Sequence, residues 1–245
     1  MEKKTVWITG GTKGLGRDLV MDFSRRNYSV VTNYAADDAA AEGLAAWAQE
    51  HQVSVDIRKA DVRDDDAMAA LTQYIGQKYG ALDLLVCAAG QGAVALTENT
   101  PPQAFRDLVD VNLCGKYSCV YHALGLLKAS SCAAVILIGS TAGQKASVGM
   151  GAYCCSQAGV VMLTKTLAKE LAQYGLRVNC VCPSMMEQGM ALRCFSDEDR
   201  KAVARQNPSG RLCRPEDVIS CIHWLCSEEA AYINGEILHL TGGNL

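Results

Sequence analysis

The chain has 245 residues, of which 49% are hydrophobic and 20% are charged, a composition that suits a globular protein with a sizeable core. Lys and Arg total 23 against 26 Asp and Glu, so the formal net charge is −3. This balance, without any dense run of Lys or Arg, counts against nucleic-acid binding, and the composition excludes collagen-like, disordered and coiled-coil chains.

Neither a targeting segment nor a membrane span is predicted. Residues 1–9 pass from charge directly into a short apolar run without a cleavage-type site, and the longest uncharged run, Ala146–Thr164, is too polar to cross a bilayer. We therefore expect a cytoplasmic protein without membrane contact.

Twelve cysteines are a high number for this length, but no CxxC pair occurs and only four His are present. We interpret the thiols as small buried hydrophobic groups in a reducing compartment, in preference to metal ligands or disulfides. No metal site is predicted.

Apolar runs of strand length alternate with helical patterns along the whole chain. The predicted strands are Thr5–Thr9, Ser29–Tyr34, Val53–Lys59, Leu82–Ala88, Ala133–Gly139, Arg177–Cys182 and Glu236–Leu240. The predicted helices lie near 14–26, 38–50, 64–79, 102–129, 151–174, 190–206 and 215–227. This alternation predicts an α/β fold with a doubly wound, Rossmann-type, parallel seven-stranded sheet, helices on both faces and one domain over residues 1–245.

The segment 185–210 is expected to form a lid over the substrate. Its methionines, Met185, Met186 and Met190, either line an adaptable apolar pocket or pack the helix predicted there.

A glycine-rich loop joins the first strand to the first helix, with the sequence Thr9-Gly10-Gly11-Thr12-Lys13-Gly14-Leu15-Gly16. Glycines let the backbone turn sharply and approach a pyrophosphate, and the helix N-terminus offers free N–H groups and the positive end of its dipole. The loop therefore indicates a dinucleotide site, although a tight turn without a ligand would have the same pattern.

The spacing TGxxxGxG resembles the short-chain dehydrogenase/reductase family, and the resemblance extends over nearly the whole chain. The other matching positions are Asp61-Val62, the turn Cys87-Ala88-Ala89-Gly90, Asn112, Ser140 with Tyr153 thirteen residues later, Pro183 and Ile233-Asn234-Gly235. The chain looks most like the 3-oxoacyl-carrier-protein reductases. The cofactor-binding residues that the resemblance implies are Gly10, Thr12, Lys13, Gly14, Leu15, Gly16, Asn33, Tyr34, Asp61, Val62, Ala88, Ala89, Gly90, Pro183, Ser184 and Met185.

The end of the second strand bears on the choice of nicotinamide cofactor. An acidic residue there would bind a ribose 2′-hydroxyl and repel a 2′-phosphate, but the strand ends in Thr32-Asn33-Tyr34 and the first carboxylate is Asp37. Lys13 in the glycine loop could pair with a phosphate. We therefore predict NADP(H) in preference to NAD(H).

The family resemblance also implies catalytic roles. Ser140 would position a carbonyl, Tyr153 would act as general acid or base, and Asn112 would hold a water in the proton relay. Gln157 stands where the family has a lysine, which binds the nicotinamide ribose and lowers the tyrosine pKa. Residues four apart share a helix face, so we expect Gln157 to reach toward Tyr153 and the ribose.

The missing ammonium should change the pKa of Tyr153. At ~5 Å and an effective dielectric of ~20, a cation stabilises phenolate by ~3 kcal/mol, or roughly two pKa units. Without it we expect the pKa of Tyr153 to stay near about 10, so that ketone reduction survives better than alcohol oxidation. Lys145 and Lys165 are local candidates to replace the cation, and Lys145 is expected to be a solvated loop residue.

Two further sites depart from the family pattern. The stretch after Pro183 lacks the usual Gly and the Thr that binds the carboxamide, and the turn at Cys87 lacks its asparagines. Three hypotheses follow: an NADP(H)-dependent ketoreductase, a non-redox member of the fold (cyclisation, dehydration or isomerisation), and a catalytically silent subunit that supports an active paralogue.

Substrate and partners are the least determined. We expect a small-molecule or carrier-bound acyl substrate. No basic cluster suited to a carrier stands out, although four scattered residues could contribute, namely Arg106, Lys116, Arg193 and Lys201. The resemblance implies a homo-oligomer, a tetramer or dimer, built through the long helices near 102–129 and 151–174.

Overall fold

The computed structural model describes residues 3–244, so Met1, Glu2 and Leu245, the ends of the predicted domain, lie outside the described residues. Seven β-strands are present in this part of the chain: β1 Thr5–Thr9, β2 Ser29–Tyr34, β3 Val55–Lys59, β4 Leu84–Cys87, β5 Ala134–Ile138, β6 Arg177–Pro183 and β7 Ile237–Leu240. The α-helices are α1 Gly14–Arg25, α2 Asp38–Glu50, α3 Asp65–Tyr79, α4 Pro102–Val109, α5 Gly115–Ala129, α6 Gly151–Leu171, α7 Met190–Cys194, α8 Asp197–Gln206 and α9 Pro215–Leu225.

The strands form one parallel sheet in the order β3-β2-β1-β4-β5-β6-β7. The order reverses between β1 and β4, and in such sheets ligands bind at the carboxyl ends of the strands beside this switch point. The predicted fold class is confirmed, and most predicted strands are longer than the observed ones by one or two residues at an end.

Two hydrophobic cores cover the two faces of the sheet. One core packs α3, α5 and α6 through residues such as Ile75, Leu127 and Val160. The other packs α1, α2 and α9 through residues such as Phe23, Leu44 and Ile222. Because both faces are covered, the central strands are fully buried, which explains why their sequences run apolar without alternation.

Two predicted helices are interrupted. The pattern near 102–129 is α4 and α5 joined by a π-helical turn over Asp110–Cys114, which carries Asn112. The pattern near 190–206 is two helices, because Ser196 caps α8 in a capping box with Asp199 and leaves Phe195 extended. Apolar periodicity continues across both interruptions, so it does not reveal them.

None of the helices within residues 3–244 is both long and apolar enough to span a membrane.

A half-buried carboxylate fixes edge strand β3 to α3. Asp56 accepts hydrogen bonds from the Tyr74 hydroxyl at 2.6 Å, from Lys78 Nζ at 2.8 Å and from the Tyr79 hydroxyl at 2.8 Å. Burial by itself would raise the pKa of Asp56, but these donors outweigh it and hold the pKa below its usual value.

We expect Asp56→Asn to lower the free energy of unfolding by about 1–3 kcal/mol at pH 7, because charge-assisted hydrogen bonds are lost. A carboxylate with a depressed pKa stabilises the fold above its unfolded pKa, so the difference should shrink as pH falls through about 4. Urea unfolding at pH 7 and pH 3.5 measures it. Glu42→Gln, at an exposed site on α2 without a described partner, should change stability by less than about 0.5 kcal/mol at either pH.

Candidate active site

One groove of about 990 Å³ opens at the carboxyl ends of β1, β4, β5 and β6. It collects every site residue expected from the sequence, from the glycine loop to the turn at Ala88 and the catalytic positions. The segment 185–210 contributes Met186, Met190 and Phe195 to the same lining. The groove therefore contains both the residues predicted to bind the nucleotide and the residues predicted to be catalytic.

The glycine loop has the backbone that its sequence predicts. Gly10 and Gly14 have φ values of +69° and +51°, and a Cβ on Gly16 would lie 2.4 Å from the carbonyl oxygen of Gly10. Among the described residues no side chain caps α1, and its first turn holds no acidic residue. Uncapped N–H groups at the positive end of the helix fit a pyrophosphate.

Asn33 supports the loop through contacts that sequence reasoning missed. Its amide oxygen accepts from Trp7 Nε1 at 2.9 Å, its amide nitrogen donates to the Ala60 carbonyl at 2.8 Å, and its own carbonyl accepts from Gly10 N at 3.0 Å. The residue is buried, with 1% of its surface exposed. Its side-chain amide is thus engaged within the fold, while Asn33 also lines the groove and its contact with the cofactor stays a prediction.

Three basic side chains near the end of β2 are paired with carboxylates. Lys13 forms an ion pair with Asp37, which also caps α2 by accepting from Ala40 N at 2.9 Å. Lys59 pairs with Asp38 at 2.8 Å, and Arg63 pairs with Asp61 at 2.6 Å. Lys13 is therefore placed at the groove as expected, but with an acidic partner that the sequence did not reveal.

Ser140 and Tyr153 meet in the groove, where Ser140 follows β5 and Tyr153 lies in the first turn of α6. Burial raises the pKa of Tyr153, and the hydrogen bond with Ser140 only partly opposes it. The pKa of Tyr153 therefore lies above its usual value, and the expectation of an unshifted phenol was wrong. Without a neighbouring cation, Ser140 alone offsets part of the desolvation of phenolate.

Gln157 and Asn112 take different places in the polar network. Gln157 is 4% exposed, lines the groove, and its Oε1 has no hydrogen-bond partner among residues 3–244. Asn112 accepts from Gln91 N at 2.7 Å and donates to the Gln91 carbonyl and to Ser156 Oγ. Ser156 in turn donates to the Tyr153 carbonyl at 2.7 Å, so Asn112 positions the helix turn that carries the phenol.

The segment 185–210 contacts the glycine loop and the helix that follows it. The Gln188 side chain donates a hydrogen bond to the Asp18 carboxylate on α1, and Gly189 packs against Gly14 of the glycine loop. Met190 packs over Gly92, where a Cβ would lie 2.1 Å from its sulfur. The three methionines of the segment 185–210 thus line the groove, and its role as a lid over a substrate stays a prediction.

Of three lysines near the site, one is buried where the sequence predicted an exposed side chain. Lys145 is exposed on the groove rim and Lys165 is exposed outside the lining. Lys116, expected among surface cations, is only 3% exposed and lines the groove. Its spacing of four residues from Asn112 on one helix face was the signal that could have placed it.

The cysteines are all free thiols. Five of them are buried: Cys87, Cys119, Cys180, Cys182 and Cys213. In the described part of the chain, no group of three His, Cys, Asp or Glu side chains is arranged to hold a metal ion.

The residues present fit a nicotinamide dinucleotide. The uncapped glycine loop suits the diphosphate, and the buried acceptor Gln157 Oε1 suits a hydroxyl donor such as a ribose offers. Residues 10–244 match the family model described as Enoyl-(Acyl carrier protein) reductase. The chain belongs to the short-chain dehydrogenase/reductase family. Members of this family bind a nicotinamide cofactor, and this short-chain dehydrogenase/reductase is an oxidoreductase.

Curated relatives agree over almost the full length. A 3-oxoacyl-[acyl-carrier-protein] reductase FabG of Staphylococcus aureus (strain Mu50 / ATCC 700699) is 30% identical over 240 residues, covering 98% of this chain and 97% of the relative. The FabG of Salmonella typhimurium is 28% identical over 242 residues, covering 99% and 97%.

Solved structures of the family have the same fold. The ligand-free aldohexose dehydrogenase of Thermoplasma acidophilum has a TM-score of 0.88 at 26% identity, covering 99% of this chain and 94% of that one. A gluconate 5-dehydrogenase of Burkholderia cenocepacia, in complex with NADP and tartrate, has a TM-score of 0.90 at 23% identity, covering 99% and 95%, and at this identity shows the fold alone.

We expect Gly11→Ala to destabilise this short-chain dehydrogenase/reductase by about 1–3 kcal/mol. The new Cβ would lie 2.1 Å from Thr32 Oγ1, which accepts from Gly11 N at 3.0 Å and donates to the Ile8 carbonyl. Gly43→Ala, on an exposed helix face with no atom within 4 Å of the new Cβ, should instead stabilise it by about 0.5–1 kcal/mol. Urea unfolding measures both, and equal effects would refute the crowding argument.

Proposed function

We propose that the protein is an NADP(H)-dependent reductase of a ketone or 3-oxoacyl-type substrate with an atypical active site. The observation that carries this proposal is the juxtaposition of Ser140 and Tyr153 in the groove that also contains the uncapped glycine loop. A hydrogen-bond donor, a proton donor and a dinucleotide cradle are the parts that carbonyl reduction needs. The similarity to the 3-oxoacyl-[acyl-carrier-protein] reductases supports the substrate class.

The proposed chemistry divides between nucleotide and protein. A bound nicotinamide nucleotide supplies the hydride. The Ser140 hydroxyl donates a hydrogen bond to the substrate carbonyl oxygen, and the Tyr153 phenol transfers its proton to that oxygen as negative charge develops. A raised pKa keeps Tyr153 protonated at pH 7, which is the form that reduction requires.

Gln157 holds the nucleotide without activating the phenol. Its buried, unpartnered Oε1 can accept from a ribose hydroxyl, which relieves the cost of a buried acceptor. It brings no charge, so proton transfer from Tyr153 depends on burial and Ser140 alone. The family's lysine supplies both functions, and this chain keeps one of them.

The preference for NADP(H) rests on the end of β2. Asn33 and Tyr34 place no carboxylate where a ribose 2′-phosphate would lie, and Lys13 lines the groove there. Asp37 competes for Lys13, so a 2′-phosphate gains that contact only by displacing a surface ion pair, which contributes little stability.

The substrate end is apolar, with methionines and Phe195 in the lining. This suits an acyl chain or another small apolar ketone, free or carrier-bound. Of the four basic residues considered for a carrier, Arg106, Arg193 and Lys201 are exposed, whereas buried Lys116 is unavailable to a carrier. Twelve free thiols fit the reducing cytoplasm, which we propose as the location.

A second candidate is a non-redox or catalytically silent member that binds nucleotide, alone or beside an active paralogue. The absence of a cation at Gln157 favours it. The family forms homo-oligomers, and such an assembly would bury the exposed Tyr117 and Tyr121 on α5 and Met162 on α6. NADPH oxidation with a panel of ketones, measured beside nucleotide binding, separates the two: turnover supports the reductase, and binding without turnover supports the alternative.

The raised pKa of Tyr153 predicts different pH profiles for the two directions. The kcat of alcohol oxidation should rise about tenfold per pH unit up to at least pH 10, because it needs phenolate, whereas the kcat of reduction should be flat near neutral pH. Gln157→Lys should shift the oxidation profile down by about two pH units, and Gln157→Met should not.

At any one pH, the equilibrium constant of the reaction fixes the ratio of kcat/KM in the two directions, so a comparison at a single pH does not test the argument. The dependence of each kcat on pH does test it. An oxidation kcat that already levels off below pH 9 in the native chain would contradict the missing-cation argument. So would identical profiles for Gln157→Lys and Gln157→Met.

The ion pair at the end of β2 predicts how nucleotide preference responds to mutation. Asp37→Asn should tighten NADPH binding several-fold by freeing Lys13, and Lys13→Ala should weaken it about tenfold or more, with NADH affinity little changed in both. Lys59→Ala, which removes a paired cation outside the groove lining, is the matched control. Calorimetric titration measures all affinities, and a Lys13→Ala variant with native NADPH affinity would refute the assignment.

A further inference from the structure

A buried lysine amine lies in the wall of the groove without an acidic partner. Lys116 Nζ donates to the carbonyl oxygens of Cys87 and Ala89, each at 2.8 Å. No carboxylate within residues 3–244 forms a salt bridge with it. Of the basic residues that line the groove, the others are exposed and Lys116 alone is buried.

Burying a charged lysine without an acidic partner lowers the free energy of unfolding, so we expect the charge to have a function. Its surroundings are apolar side chains and the thiols of Cys87, Cys119 and Cys180, and burial lowers the pKa of Lys116. A methionine would fill the same space without desolvating a charge. Two neutral carbonyl acceptors compensate only part of that desolvation, so the chain retains an ammonium that packing does not require.

The two acceptors belong to one functional turn. The turn 87–90 packs against the glycine loop: Ala89 N donates to Thr9 Oγ1 at 2.9 Å, and a Cβ on Gly10 would lie 2.9 Å from Ala89 Cα. The family usually has two asparagines in this turn, whereas Cys87 and Ala88 offer no amide. Lys116 therefore supplies, from α5, polar contacts that hold the turn in place.

Asn112 and Lys116 act on adjoining backbone from the same helix face. Asn112 binds both backbone groups of Gln91, and Lys116, four residues later, binds Cys87 and Ala89. The whole segment that separates the glycine loop from the catalytic end is thus fixed by two buried side chains of one helix.

We propose that Lys116 is a positioning residue for the nicotinamide nucleotide that also discriminates between its redox forms. It holds the turn 87–90 for both forms, and its positive charge disfavours the oxidised nicotinamide, which is a cation, relative to the neutral reduced ring. This inference rests on the proposed function only as far as nucleotide binding. Its consequence for reduction is faster release of the oxidised product.

The effect of the charge can be measured as the ratio of the dissociation constants of the oxidised and reduced nucleotides. At about 10 Å and an effective dielectric of about 20, a unit charge changes a binding constant roughly tenfold. Loss of a purely structural contact would weaken both redox forms equally and leave the ratio of their dissociation constants unchanged. The ratio Kd(NADP⁺)/Kd(NADPH) therefore separates the charge from the turn.

The experiment titrates the full chain with NADP⁺ and with NADPH by calorimetry, without substrate. Lys116→Met should raise Kd for NADPH about tenfold and lower the ratio about tenfold. Lys116→Gln, which keeps an amide donor but no charge, should retain more of the NADPH affinity while lowering the ratio equally. Lys165→Met, an exposed lysine outside the lining, should leave both values native.

Each result bears on the inference. A lowered ratio in either Lys116 variant supports it, and Lys116→Gln serves if Lys116→Met fails to fold. An unchanged ratio overturns it, whether or not both affinities fall. A native chain that binds neither form overturns this inference together with the proposed function, whereas a chain that binds both but reduces no ketone leaves it intact and refutes only the reductase.

Discussion

The close approach of two backbone segments at the sheet's switch point is the constraint on which the site depends. The glycine loop after β1 and the turn after β4 touch at Gly10 and Ala89, closely enough that a Cβ on Gly10 would collide. Parallel β1 and β4 force this meeting because they are neighbours whose connections leave in opposite directions. The polar contacts of Asn33, Asn112 and Lys116 either secure this contact or line the groove that it creates.

The charged side chains around that contact are distributed unevenly along the groove. Near the end of β2, three cations are paired with acids, such as Lys13 with Asp37. The catalytic side has a phenol without a cation, with Gln157 as a neutral partner. Charge remains on α5 at Lys116, behind the turn. In the proposed reductase, a protonated Tyr153 and a preference for the reduced nucleotide would both serve the delivery of a proton and a hydride to a carbonyl.

Sequence reasoning predicted the strands, the sheet and the groove, because apolar runs and glycine spacing are local signals. The family resemblance placed Ser140 and Tyr153 together, and the spacing of four residues placed Gln157 on the helix face of Tyr153. Sequence reasoning failed where tertiary contacts decide the outcome. Asn33 is taken up by Trp7, twenty-six residues away in sequence, and the pKa of Tyr153 depends on how deeply the groove buries it. Lys116 was grouped with the surface cations because its spacing from Asn112, the one signal that could have placed it in the groove, was not used.

The edge of the sheet at β3 presents charged side chains to other molecules. β3 is a terminal strand, and Asp56, Arg58 and Lys59 occupy most of its length. Asp56 is tied to α3, and Arg58 lies over the Tyr74 ring at 3.8 Å. An unprotected terminal strand would template intermolecular pairing, and a crowd of fixed charges prevents a second chain from annealing there. The cluster that attaches β3 therefore also protects the protein against aggregation.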